Sequence, residues 1–79
     1  MADVTIKSPL PGTFYRKPSP DAEPFVFEGD NVSAGDVIGL VEIMKNFHEV
    51  QSDQTGTLER FLVEDDDVVE AGQDIAVLR

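Results

Sequence analysis

Lys45 is the residue of this chain best placed for covalent chemistry, because it stands in the middle of a segment with the pattern of a β-hairpin. The segment covers about residues 42–50, and strand-forming apolar residues precede and follow it. Met44 occupies a position where hairpin tips usually have Gly, Asn or Asp, and Asn46 tolerates the left-handed backbone of a tight turn. Most exposed lysines are solvated surface residues, but a projecting amine is also a point of attachment. We predict that Lys45 is an attachment point at a hairpin tip.

Other polar residues near this segment have less specific signals. His48 is the only histidine, and we predict an exposed strand residue there. Glu42 and Glu49 flank Lys45 and are expected to face each other across the hairpin, either for recognition by a modifying enzyme or simply in solvent. The acidic run 65–67 lacks the alternating ligand spacing of a calcium loop and reads as a solvated turn. We therefore predict no catalytic residue and no metal site.

The composition narrows the classes of partner. The 79 residues include 16 acidic and 6 basic side chains, for a net charge of -10. Binding to nucleic acid or to an anionic membrane requires clustered Lys and Arg, so neither is expected. The chain has no Cys, no apolar run of membrane-spanning length and no signal-peptide pattern at its start. We expect a single domain over residues 1–79 that is cytoplasmic and monomeric in isolation.

Short apolar runs between frequent Gly and Pro residues indicate an all-β fold, since no window has a sustained helical period. The first strand is predicted at Asp3 to Lys7, and a short strand at Phe25 to Phe27. Four of the six aromatic side chains are expected to lie in the core; they are Phe14, Phe25, Phe27 and Phe61.

The two halves of the chain repeat each other. The segment Val32 to Ile38 matches Val69 to Ile75 at an offset of 37 residues, and the segment beginning at Gly12 matches the one beginning at Gly56 at an offset of 44. Neither antiparallel unit could bury its apolar face alone, so the repeat predicts a quasi-two-fold sandwich or flattened barrel. Lys45 lies at the junction of the halves.

The seven-residue difference between the two offsets (44 − 37) places an insertion in the first half. Between the two repeated segments of the first half lies a polar loop at about residues 16–24, which is stiffened by Pro18, Pro20 and Pro24. Three prolines restrict this loop before any partner arrives. We predict a semi-rigid protrusion and call residues 16–24 the thumb.

Three segments resemble the biotin carboxyl carrier family of acetyl-CoA carboxylase, within the biotinyl/lipoyl domains. The sequence from Val41 to Lys45 resembles the motif in which a Met-Lys pair carries biotin. Residues 8–16 resemble the opening of these carriers, and residues 18–22 resemble the thumb that distinguishes them from other biotinyl and lipoyl domains. The resemblance implies a barrel-sandwich hybrid of two four-stranded antiparallel sheets.

The resemblance also implies a function. A biotin protein ligase would attach biotin to Lys45, with Met44 and Asn46 as flanking recognition residues. Biotin would then carry carboxylate from a biotin carboxylase to a carboxyltransferase, most directly for conversion of acetyl-CoA to malonyl-CoA in fatty acid synthesis. The domain itself would supply no catalytic group.

The chain departs from the family at several positions. Asn46 replaces the usual second Met, Ile43 replaces the usual Ala, and Lys17 stands where a small hydroxyl residue is common. The thumb residues implied to contact biotin are Lys17, Pro18 and Ser19. Two alternatives remain open: a lipoyl carrier domain of an oxo-acid dehydrogenase or glycine-cleavage system, and an unmodified interaction module with the same fold.

Overall fold

The protein consists of short strands joined by turns. The computed structural model describes residues 4–79, so Asp3 and the predicted absence of a signal peptide lie outside the described residues. The strands are β1 (Val4–Lys7), β2 (Gly12–Tyr15), β3 (Asn31–Val32), β4 (Val37–Ile43), β5 (Asn46–Gln51), β6 (Gly56–Phe61), β7 (Val68–Val69) and β8 (Asp74–Leu78). Within residues 4–79 there is no helix that is long and apolar enough to cross a membrane.

The strands form two four-stranded antiparallel sheets. Sheet 1 has the order β1-β8-β6-β3, and sheet 2 has the order β5-β4-β2-β7. Each half of the chain contributes two strands to each sheet, so neither half closes the fold alone. The predicted all-β fold of two four-stranded sheets is confirmed.

The core lies between the sheets. Most strands bury alternate residues, as expected for side chains that point to opposite faces of a strand, whereas all four residues from Ile75 to Leu78 of β8 are buried. Phe14 from sheet 2 and Leu58 from sheet 1 are both fully buried. Phe14 also packs against Phe61, with ring centroids 6.1 Å apart. The largest fully buried apolar side chains are Phe14, Ile6, Ile38, Leu58, Ile75, Leu78, Val32, Val41, Val50 and Val69.

Equivalent turns in the two halves have the same hydrogen bonds. The Gly35 N–H donates to the carbonyl of Ser52 over 2.7 Å, and the Gly72 N–H donates to the carbonyl of Ser8 over 2.8 Å. Both glycines have left-handed backbones, with φ of 97° and 83°. The glycines are 37 residues apart (72 − 35) and the serines 44 apart (52 − 8), so the contacts follow both offsets of the sequence repeat.

The extra residues of the first half form a loop between β2 and β3. The Phe25 N–H donates to the carbonyl of Arg16 over 3.0 Å and so closes the base of the thumb. The Arg16 guanidinium lies over the Phe61 ring, 4.3 Å from its centroid, and its backbone N–H donates to Asp65 Oδ1 over 2.6 Å. The thumb is therefore anchored to the second half of the chain at its base.

The predicted strand at Phe25 to Phe27 is wrong, and so is the placement of Phe27 in the core. Asp30 Oδ2 accepts a hydrogen bond from the Phe27 N–H, while the Phe27 carbonyl accepts one from the Asp30 N–H. These bonds close a turn, so this backbone does not join a sheet. Val26 is the buried residue of the segment, Phe27 is 49% exposed, and Phe25 and Phe61 are half-buried.

Candidate functional site

The tip of the β4–β5 hairpin consists of Met44 and Lys45. Ile43 pairs with Asn46, which leaves a two-residue loop. Met44 and Lys45 have φ values of 49° and 68°, so both lie in the left-handed region. Two left-handed central residues are the mark of the hairpin turn whose twist matches that of the flanking strands. The prediction that Asn46 serves the left-handed turn is wrong, because Asn46 is the first residue of β5.

The left-handed backbone at the tip is energetically unfavourable, but it exposes the side chains of both tip residues. A side chain in this conformation is disfavoured by about 1–2 kcal/mol relative to the right-handed region. The tip nevertheless displays its side chains: Met44 is 89% exposed and Lys45 is exposed. Among residues 4–79, no carboxylate lies within ion-pairing distance of the Lys45 amine. Lys45 thus presents a solvated amine at the junction of the two halves.

A tyrosine contacts this hairpin next to its tip. The Tyr15 hydroxyl donates to Glu42 Oε1 over 3.1 Å, and its ring lies 6.1 Å from that of Phe47 between centroids. The hydrogen bond to Glu42, partial burial, and the negative charges of Glu42 and Asp66 raise the pKa of Tyr15 above its ordinary value of 10.0. The sequence prediction did not include Tyr15; its only signal is that it is the single tyrosine and immediately precedes the thumb.

The carboxylates around the tip are arranged differently from the prediction. Glu42 pairs with Phe47 and Glu49 pairs with Leu40, so the two glutamates are diagonal neighbours and do not face each other. His48 is an exposed strand residue opposite Val41, as predicted.

The thumb and the hairpin enclose a cleft of about 450 Å³, which we call the thumb cleft. The predicted residues Lys17, Pro18 and Ser19 lie together on one side of it. Phe47, two residues beyond Lys45, lies on its wall. Its complete lining is Tyr15, Lys17, Pro18, Ser19, Pro20, Phe47, Asp65 and Asp66.

The acidic turn has structural roles beyond being solvated. Asp65 accepts the Arg16 N–H at the base of the thumb, Asp66 has a left-handed backbone with φ of 71°, and Asp67 Oδ2 accepts the Glu64 N–H over 2.9 Å. Asp65 and Asp66 also line the thumb cleft. A sequence pattern could have found the Asp67 contact, because Asp30 makes the same contact 37 residues earlier.

A family model described as "Biotin-requiring enzyme" matches residues 4–78, which is nearly all of the chain. The chain belongs to this family. The biotin carboxyl carrier protein of acetyl-CoA carboxylase 1 (chloroplastic) of Arabidopsis thaliana is 49% identical over 61 residues, covering 77% of this chain and 22% of the relative. The corresponding carrier protein of Haemophilus influenzae is 38% identical over 73 residues, covering 92% of this chain and 47% of the relative. This biotinyl domain thus spans less than half the length of these relatives.

Solved structures have the same fold. The Kluyveromyces lactis urea carboxylase superposes with a TM-score of 0.79 at 29% identity, covering 100% of this chain and 6% of that protein. A single-chain, multi-domain long-chain acyl-CoA carboxylase superposes with a TM-score of 0.76 at 24% identity, covering 95% and 7% of the two chains, and adds support for the fold alone.

The residues of this biotinyl domain fit the cofactor of its family. Amide formation with the carboxyl group of biotin needs an accessible amine, which the exposed tip position of Lys45 supplies. The aromatic rings and prolines of the thumb cleft form a partly apolar recess into which a bicyclic group would fit. When bound, biotin supplies a ureido nitrogen that accepts and releases a carboxyl group.

Proposed function

We propose that this domain is a biotin carboxyl carrier and that Lys45 is its attachment site. The observation that carries the proposal is the display of Lys45 on a left-handed hairpin tip within a family of biotin-requiring enzymes. A flexible arm that starts at a rigid tip keeps its end near the carrier while allowing it to reach separate active sites. The domain would present the arm without taking a catalytic part.

The proposed partners are a biotin protein ligase, a biotin carboxylase and a carboxyltransferase. The carrier relatives belong to acetyl-CoA carboxylase by name, which favours acetyl-CoA as acceptor and malonyl-CoA as product in fatty acid synthesis. We propose a single domain, with a monomeric state in isolation and a cytoplasmic location.

The Lys45 amine must lose a proton to become the nucleophile that attacks the activated carboxyl carbon of biotin. The domain places no base at the tip, because no carboxylate pairs with Lys45 among residues 4–79. The ligase would therefore remove the proton. The ligase would also contact Met44 in the turn and Asn46 in β5, because these two residues flank Lys45.

We further propose that Lys17, Pro18 and Ser19 contact biotin when the arm folds back. This contact with biotin is supported by the cleft that the three residues share with Phe47, which is two residues from the attachment point. The amide chemical shifts of Lys17 and Ser19 are expected to change when the domain is biotinylated, while that of Gly35, whose turn bonds Ser52 beyond the end of β5 away from the tip, stays fixed.

The test of the proposal is intact mass after incubation with biotin protein ligase, biotin and ATP. Biotin adds about 226 Da as a lysine amide, whereas lipoate adds about 188 Da and an unmodified module gains nothing. We expect one biotin on the native chain and none on Lys45→Arg, with Lys7→Arg as the matched control. Biotin that persists in Lys45→Arg, or that maps to Lys7 or Lys17, would refute the assignment.

A further inference from the structure

A row of side chains crosses the outer face of sheet 2 next to the hairpin tip. The pairing register places Val68, Thr13, Glu42 and Phe47 side by side on the four strands. Their neighbours Phe14 and Val41 are fully buried, so this row points away from the core. Val68 is 77% exposed and Phe47 is 57% exposed. We call these four residues the outer row.

The internal repeat allows the outer row of sheet 2 to be compared with the equivalent positions of sheet 1, which show what side chains the fold accepts there. The positions equivalent to Val68, Thr13 and Glu42 are Asn31, Thr57 and Arg79, by the offsets of 37 and 44 residues. In sheet 1 these residues also lie side by side, and the Thr57 hydroxyl donates to Asn31 Oδ1 over 3.2 Å.

The equivalent positions two residues further along β2 and β6, Tyr15 and Glu59, also differ between the two sheets. Tyr15 donates to Glu42 in sheet 2, while the equivalent Glu59 lies 3.9 Å from Arg79 in sheet 1. The same framework therefore folds with polar and charged side chains where sheet 2 has the exposed Val68 and the half-buried Tyr15. The requirements of the fold therefore do not account for the exposed valine at position 68.

Carboxylates outnumber cations around the apolar positions of this face, although Lys17 shares the thumb cleft with Phe47. Glu42 lies within the outer row, and Glu49 lies on the same face on β5. The four strands of sheet 2 contain no Lys or Arg, whereas sheet 1 contains Lys7 and Arg60. The complementary surface has an apolar centre and a basic rim.

We propose that the outer row is the docking surface for the ligase that modifies Lys45, and that Val68 and Phe47 are its apolar anchors. The inference rests on the proposed function. The Glu42–Phe47 pair lies directly beside the tip pair Ile43–Asn46. Before modification the chain offers only the short lysine side chain, so the ligase must approach the sheet itself. The later enzymes meet a longer arm and need not contact this row.

The test compares Val68→Asp with Asn31→Asp, which add one negative charge at equivalent positions of the two sheets. Steady-state biotinylation is measured with a purified bacterial biotin protein ligase, biotin and ATP, with the carrier concentration varied. Val68→Asp is expected to raise KM for the carrier about tenfold, equal to about 1.4 kcal/mol, with kcat within twofold of native. Asn31→Asp should leave both constants within twofold of native.

Val68→Thr provides a second, uncharged variant that keeps the branched shape of valine, and its KM should lie between those of the native chain and Val68→Asp. For the native chain, KM should rise with added salt, because the ions screen the acidic rim. Thermal unfolding of each variant separates misfolding from weakened docking.

Two results would overturn the docking surface while leaving the proposed function intact. One is a native chain biotinylated on Lys45 with unchanged KM for both Val68 variants. The other is a native chain that self-associates at the assay concentrations and becomes monomeric in Val68→Asp, which would assign the row to a second copy. A native chain that gains no biotin would instead contradict the proposed function and this inference together.

Discussion

Replacing Met44 by glycine tests the left-handed backbone of the tip directly. Met44 has φ of 49° and its side chain is 89% exposed. Glycine adopts this conformation without the steric conflict that a Cβ atom causes. The substitution should therefore stabilise the unmodified domain, although it removes an apolar side chain.

The expected gain is small but measurable. Relief of the left-handed conformation contributes about 1–2 kcal/mol, and the greater freedom of glycine in the unfolded chain takes back about 0.5–1 kcal/mol. Because only the remaining 11% (100 − 89) of the Met44 surface is buried, lost packing amounts to about 0.3 kcal/mol. The balance is about 0.5 kcal/mol, which corresponds to a rise in Tm of about 2–4 °C for a domain of this size.

Differential scanning calorimetry of the unmodified domain measures this change. The matched control is Asn46→Gly, one position after Lys45, where the backbone is extended and belongs to β5. Glycine within a strand is unfavourable, so this variant should lose about 0.5–1 kcal/mol. Equal losses of Tm in Met44→Gly and Asn46→Gly would refute the reasoning that strain is localised at Met44.

Two further predictions concern Tyr15 and the core. Gly39→Ala should lower the free energy of unfolding in urea by about 1–3 kcal/mol, because its Cβ would lie 2.6 Å from Phe14 Cε1 and 2.8 Å from the Tyr15 carbonyl oxygen; native-like stability would contradict this packing. Tyr15 is the only tyrosine and there is no tryptophan, so ultraviolet titration should give a midpoint above 10.0 that falls in Glu42→Gln. Because folding raises the pKa of Tyr15, its hydrogen bond to Glu42 stabilises the fold fully below pH 10.0, and this stabilisation is lost as the pH rises through the folded-state pKa. A titration midpoint that Glu42→Gln leaves unchanged would exclude the hydrogen bond as the cause of the raised pKa.

The arrangement of the fold and the position of the tip follow from patterns in the chain itself. The two offsets between repeated segments predict paired halves with an insertion, and the equivalent turns at Gly35 and Gly72 confirm the pairing. Apolar runs on either side of Lys45 predict a hairpin there. Such patterns are readable because strand alternation and turn residues are local properties.

Side-chain partners were less predictable. Glu42 was expected opposite Glu49, but it pairs with Phe47 and accepts a hydrogen bond from Tyr15, 27 residues earlier in the chain. A one-residue change in register reassigns every cross-strand neighbour, and composition does not specify that register. The same limit applies to Phe27, whose turn depends on the side chain of Asp30.

The sequence alone determined that two similar units flank Lys45 and that the first carries the thumb, because repeats and insertions are counted along the chain. Only the tertiary structure decided that Met44 and Lys45, instead of Asn46, take the left-handed positions. It also brought Val68 onto the same face as Phe47. These two features depend on how four strands align in one sheet, and that alignment is decided by packing between distant segments.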